Sequence, residues 1–252
     1  PPRRATMQQV FDGKIGEIRA IETTYNSSGV WEPRKTREQC NSDMEYQLRN
    51  WYYYNWLSGD HIVEQAIHGL DTMGWAMGDK LPERCFGVGG RQSRTDGKYG
   101  NIYDHFSLVY EYENGVRGYH QCRHWVNTAN RVKDYILGSE GTCDVFGNAL
   151  AGKTKWKYAK DTGDKKTYDM YQVEHDEMYA ALREGKILNN GEQAANSTLL
   201  GLMGRAAAYT GEIITPERIL DSTEDLSPPS YAFGPDPLPV APIPVPGFTK
   251  II

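Results

Sequence analysis

The densest chemistry in the chain lies in one segment, Trp56-Leu57-Ser58-Gly59-Asp60-His61-Ile62-Val63-Glu64-Gln65-Ala66-Ile67-His68-Gly69-Leu70-Asp71. Residues 60–77 read as one strong helix, closed by Gly78 at the usual C′ position. At ~100° per residue with Glu64 as origin, His68 falls near ~+40°, Asp71 near ~−20° and His61 near ~+60°. His61, Glu64, His68, Asp71 and Trp75 then share an arc of roughly 80°. Ile62, Ala66, Leu70, Met73 and Met77 cluster opposite. A solvated helix face normally carries Lys, Arg, Glu and Gln; here the basic groups are imidazoles. Imidazole titrates near neutrality, and carboxylates one turn away orient it or raise its pKa. The face therefore suits acid–base catalysis or ligand binding, with a plain solvated face as the alternative. His61, Glu64 and His68 also have a spacing that permits a metal site.

Other motifs carry less. Gly147-Asn148-Ala149-Leu150-Ala151-Gly152-Lys153-Thr154 fits the phosphate-binding pattern GxxxxGK[ST], but that mechanism needs a helix to follow. Lys155-Trp156-Lys157-Tyr158 alternates like a strand instead. Gly87-Val88-Gly89-Gly90 fails as a dinucleotide fingerprint, because Gln92 stands where the third Gly belongs. His120, Cys122 and His124 alternate on one strand face but span ~13 Å, too far for one ion on a straight strand. His105 and His175 read as structural. The sequons at Asn26 and Asn196 matter only in a secreted eukaryotic protein.

The elements around the segment set its context. Residues 15–25 read as a strand, and residues 26–57 as a long aromatic loop. In that loop Trp31, Arg34, Arg49, Trp51 and Tyr54 combine aromatic faces with planar donors, which suits sugar rings and carboxylates; a loop packing its own aromatics is the alternative. Asn114-Gly115 between two alternating runs predicts a hairpin. Further strands are expected at 132–137, 142–146 and 154–158. Helices are expected at 172–184, at 191–209 with an Asn190/Gln193 capping box, and after Thr215-Pro216. Residues 227–252 hold eight of the 13 prolines and read as an extended strap docked on the domain or on a neighbouring subunit. The order is strand, helix, several strands, then helices. It predicts an α+β fold: a large, mostly antiparallel open sheet with helices on one face.

Composition excludes several classes. The chain has 252 residues, a net charge of −5 and 39% hydrophobic content, enough for a core and unlike a basic nucleic-acid footprint. No apolar run approaches a membrane span. The four cysteines, Cys40, Cys85, Cys122 and Cys143, have no CxxC spacing and lean towards a reducing, cytoplasmic setting. The Pro1-Pro2 start fits a processed protein or part of a longer one.

Taken in chain order, Gly13-Lys14-Ile15-Gly16-Glu17-Ile18, a strand, a Trp-containing loop, Ser58-Gly59-(x)4-Glu64-(x)3-His68-(x)2-Asp71 and Gly78 resemble the C-terminal domain of Gfo/Idh/MocA oxidoreductases. Gly138-Ser139-Glu140-Gly141-Thr142 and the late helix Asn196 to Gly211 extend the resemblance over roughly residues 8–220. It implies a dihydrodipicolinate reductase-like C-terminal domain over residues 1–226 and a proline-rich tail over 227–252. The Rossmann domain that binds NAD or NADP would lie outside this chain, so the chain alone is expected to be inactive and to bind no cofactor. The resemblance further implies His68 as general acid/base, with Glu64 in the position of the usual Asp. Asp71, His61, Asp60, Trp31, Arg34, Trp51 and Tyr54 would contact a carbohydrate or cyclitol. A homodimer or homotetramer through the sheet face and tail is implied too. Two departures stand out: Ser58-Gly59-Asp60-His61 replaces the usual glycine run, and Glu replaces Asp. NAD-assisted glycoside cleavage and a non-catalytic sugar-binding module are the alternative functions.

Overall fold

The computed structural model describes residues 1–159 and 169–250. Helix α1 (Pro2–Phe11) leads into strand β1 (Ile18–Ser27). The aromatic loop holds helices α2 (Asp43–Arg49) and α3 (Asn55–Ser58). Next come α4 (His61–Glu64) and α5 (Ile67–Ala76). Seven strands follow: β2 (Arg84–Gly90), β3 (His105–Glu111), β4 (Arg117–His124), β5 (Arg131–Gly138), β6 (Gly141–Asp144), β7 (Ala149–Gly152) and β8 (Trp156–Lys157). Helices α6 (Met170–Arg183), α7 (Gly191–Thr210) and α8 (Pro216–Leu220) precede the tail.

All eight strands form one open sheet in the order β2-β3-β4-β1-β5-β6-β7-β8. Every pairing is antiparallel except β1 with β4, which brings Thr23 opposite His120. This is the expected α+β architecture. The hairpin between β3 and β4 turns at Asn114-Gly115, where Gly115 takes φ +78°, a conformation that suits glycine. Strand β4 alternates strictly: Gly118, His120, Cys122 and His124 are buried, while Arg117, Tyr119 and Gln121 are exposed. One sheet face therefore carries the core and the other stays open.

Helices α5 and α7 cover the buried face. Small residues let α7 approach closely; a Cβ on Gly204 would sit 2.4 Å from the Tyr110 hydroxyl. Met7 and Val10 of α1 join the same core, with Ile21, Leu70, Met73, Phe106, Ile136 and Met203. A second apolar cluster forms inside the aromatic loop around Tyr52, Tyr53, Tyr54 and Ile102. The loop does pack its own aromatics.

Four local expectations change. The region expected to be one helix over 60–77 is broken. Gly59 ends α3 and Asp60 continues the turn at φ +73°. Gln65 leaves helical geometry, and the Ala66 N–H reaches back five residues to the His61 carbonyl at 2.9 Å. Such a wide turn rotates α5 relative to α4 by roughly 100°. The Asn190/Gln193 capping box is replaced by Asn189, whose Oδ1 accepts from the Gly191 N–H at 2.9 Å. Helix α1 and strand β2 are both unforeseen; α1 packs into the core and β2 forms one edge of the sheet. The tail is extended as expected and docks on its own domain. Gln47 and Asp43 bond the Leu238 backbone, Tyr103 Oη donates to the Pro244 carbonyl, and the Gly247 N–H donates to the Thr210 carbonyl.

Candidate functional site

The broken helix divides the candidate residues into two groups. The first is buried. Asp60 is fully excluded from solvent, in a backbone conformation that costs a non-glycine residue roughly 1–2 kcal/mol. Four hydrogen bonds hold it there. Its Oδ1 accepts from the His61 backbone N–H at 2.5 Å and faces His61 Nδ1 at 3.0 Å. Its Oδ2 accepts from the Tyr103 N–H at 2.7 Å and the Tyr209 hydroxyl at 2.5 Å.

The His61 ring packs against His124, with centroids 4.4 Å apart, and against Phe106 at 5.0 Å. Burial opposes charge on this imidazole. Cys122 and the Asp60 carboxylate outweigh it and raise the ring to about 10. His120 goes the other way. Burial and the neighbouring His61 push it down to about 3, and its Nδ1 pairs with Thr23 Oγ1 at 2.7 Å. His124 is likewise lowered, by burial and then by His61; its Nε2 meets the Tyr52 hydroxyl at 3.3 Å. Neither His61 Nε2 nor His120 Nε2 has a hydrogen-bond partner among the described residues.

The second group reaches the surface. Glu64 is half-buried; burial raises its carboxyl, and His61 partly offsets that. Tyr52 anchors the loop beside it by donating to Gln65 Oε1 at 3.0 Å. His68 is exposed in the first turn of α5. Asp71 is half-buried, and its Oδ1 accepts from Ser197 Oγ at 2.7 Å, tying α5 to α7.

The structure thus corrects the single catalytic face. Asp60 and His61 point into the core and line no open surface, because the wide turn sets α4 and α5 at different rotations. The set His61, Glu64 and His68 does not assemble as a metal site, and no group of three His, Cys, Asp or Glu able to hold a metal occurs among the described residues. Tyr54 is 1% exposed and packs edge-on to Tyr46, so it belongs to the loop core and not to a sugar-contacting surface. Trp31, Arg34 and Trp51 remain reachable. Trp31 packs against Trp51 and Tyr53, and Arg34 lies 4.4 Å over its ring.

Sequence reasoning missed Asp104 and Arg94, which fix the loop to the sheet. Asp104 Oδ2 accepts from the N–H groups of Gln92, Ser93 and Arg94, and its Oδ1 from Trp125 Nε1. Burial opposes its ionisation, but His105, Trp125 and these amides hold it well below the usual carboxylate range. Arg94, buried, donates to Tyr53 Oη, the Ser28 carbonyl and the His124 carbonyl. No local spacing links these residues.

The two glycine-rich stretches lie in the sheet. Gly87 to Gly90 lies within β2, and Gly147 to Thr154 runs through β7. Neither opens a helix, so neither offers the N-terminal amides that a pyrophosphate requires. These residues do not fit a nicotinamide cofactor.

Residues 4–144 match the family model for the GFO/IDH/MocA C-terminal domain, more than half of the chain. The chain belongs to the Gfo/Idh/MocA C-terminal domain family. Solved structures share its fold at low identity. An oxidoreductase from Thermotoga maritima is 18% identical with a TM-score of 0.62, over 87% of this chain and 60% of its own. Levoglucosan dehydrogenase, solved with NADH and levoglucosan, is 14% identical at a TM-score of 0.62, over 85% and 63%. The aldose-aldose oxidoreductase from Caulobacter crescentus, solved with glycerol, is 14% identical at 0.61, over 84% and 60%. This Gfo/Idh/MocA chain thus spans about 60% of the length of the structures it resembles. No curated protein sequence matches it. No helix among the described residues is long and apolar enough to cross a membrane.

Proposed function

We propose that this chain is the substrate-binding and catalytic C-terminal part of an NAD(P)-dependent oxidoreductase acting on a hydroxyl of a sugar, sugar derivative or cyclitol. The observation that carries the reading is the exposed His68 imidazole, one turn beyond the half-buried Glu64 carboxyl, in a fold of this family. NAD or NADP would be held by a Rossmann domain outside these 252 residues; neither glycine-rich stretch described above opens a helix.

In this reading the chain handles the proton. His68, free to meet a ligand, accepts the proton of the reacting hydroxyl and returns it in the reverse direction. Glu64 orients the imidazole and steadies the charge it acquires. Asp71 holds α5 against α7 and so fixes the height of His68. Trp31, Trp51 and Arg34 offer aromatic faces and a planar donor to the ring of the substrate. The open sheet face, with Val88, Tyr119 and Leu137 exposed, is the surface through which two or four copies would associate.

The test restores the cofactor domain and replaces His68 with Ala. Turnover on the true substrate should fall about 10²–10⁴-fold. Unchanged turnover would remove the assignment. Titration of NAD into the present chain should show no tight binding.

A further inference from the structure

The aromatic loop carries a feature that the proton chemistry leaves unused. Asn50 is fully buried and clamps the two residues at the loop surface. Its Oδ1 accepts from the Arg34 N–H at 2.8 Å and the Lys35 N–H at 3.4 Å, and its Nδ2 donates to the Lys35 carbonyl at 2.9 Å. The clamp sets both cationic side chains along a groove of about 440 Å³. Arg49 and Trp51 share the groove, and Phe233 of the tail, 70% exposed, lines it too.

Charge in this groove is one-sided. Its single carboxylate, Glu45, is already engaged by the Asn41 N–H, Asn41 Nδ2 and the Arg49 guanidinium. Arg34 and Lys35 have no ion-pair partner among the described residues, although the chain as a whole carries −5. A guanidinium presents parallel N–H donors that match the oxygens of a carboxylate or sulfate. Exposed indole and phenyl faces accept the C–H face of a pyranose ring. A neutral sugar would use the rings and leave the cations idle. A nucleic acid would need a longer cationic track than Arg34, Lys35 and Arg49 supply.

We propose that this groove binds a sugar bearing an anionic group, with Trp51 and Phe233 on the ring and Arg34 and Lys35 on the anion. The inference rests on the proposed function for the word sugar and adds the charge. Calorimetric titration of the chain with tetragalacturonate, a chondroitin sulfate tetrasaccharide and neutral maltotetraose tests it. At least one charged probe should bind, with maltotetraose about tenfold weaker or more. The Arg34→Ala/Lys35→Ala double variant should lose about tenfold or more with its melting temperature unchanged, since both side chains are exposed. Binding of tetragalacturonate shows that a carboxylate alone satisfies the cations, whereas the chondroitin sulfate tetrasaccharide offers carboxylate and sulfate together. Equal affinity for maltotetraose, unchanged binding by the double variant, or no binding of either charged probe at millimolar concentration overturns the proposal. Binding is read here without turnover, so its failure leaves the roles of Glu64 and His68 standing. Loss of those roles with groove binding intact strikes the proposed function alone.

Discussion

Asp60-His61 and Glu64-(x)3-His68 each set a carboxylate and an imidazole in one short stretch of chain, and they meet opposite fates. The first is buried in the core and held by Tyr103 and Tyr209. The second stands at the surface, with His68 exposed. Composition does not separate them; backbone does. The left-handed Asp60 aims its carboxylate inward, and the wide turn at Ala66 rotates α5, with His68, away from α4, which carries His61 and Glu64. A buried pair is worth its cost only when fully bonded, and an exposed pair contributes little to stability. The first pair therefore holds the fold.

Removing the buried carboxylate should have the largest effect. Asp60→Ala strips partners from His61, Tyr103 and Tyr209 inside the core. It should cost about 3–5 kcal/mol in urea unfolding, less whatever strain is relieved at φ +73°. A loss below about 1 kcal/mol would show that the pair does not hold the fold.

Acid should act through the buried imidazoles. His120, held at about 3, stays neutral in the folded chain while an unfolded imidazole near 6.5 has begun to charge. Stability therefore falls as pH drops from about 6.5 towards 3, by an amount on the order of 4 kcal/mol from this ring alone. His120→Gln should flatten that slope in unfolding curves recorded across the range.

Asp134 works with the opposite sign. Burial raises its carboxyl to about 6, against the lowering by Thr72. The folded chain keeps its proton where the unfolded chain has lost it. Its contribution is complete below about 3.8 and is lost as pH rises through about 6, roughly 3 kcal/mol in all. Asp134→Asn should abolish the dependence between pH 4 and 6, and an unaltered slope would assign it to another group.

The smallest expected effect belongs to the half-buried Glu64 and the exposed His68. Glu64→Gln and His68→Ala should each change unfolding free energy by no more than about 0.5 kcal/mol. A large loss from either would move that residue into the group that supports the fold.

Much of this architecture was legible in the sequence because its signals are local. Strand alternation, the Asn114-Gly115 turn and the proline tail each depend on neighbours in the chain, and each appears where expected. The α+β class followed from their order. The candidate segment was found for the same reason, through its unusual composition. Its division was hidden, because a helical projection assumes an unbroken 3.6-residue repeat and one wide hydrogen bond at Ala66 cancels it. The partners of Asp60 were hidden too. Tyr103 and Tyr209 lie 43 and 149 residues away, and only the tertiary fold brings them to one carboxylate. Strand β2 escaped notice because its glycines mask the alternation. Helix α1 has a first turn of Pro, Arg and Arg, with no side-chain cap to announce it.

The surface imidazole is expected to do chemistry while the buried one keeps the fold. The most direct measurement compares His68→Ala with His61→Ala in the protein carrying its cofactor domain, recording turnover and unfolding together. We expect His68→Ala to lose about 10²–10⁴-fold in turnover with unfolding unchanged, and His61→Ala to unfold more easily. Full turnover in His68→Ala, or a loss of turnover that merely tracks a loss of folding, would contradict the account.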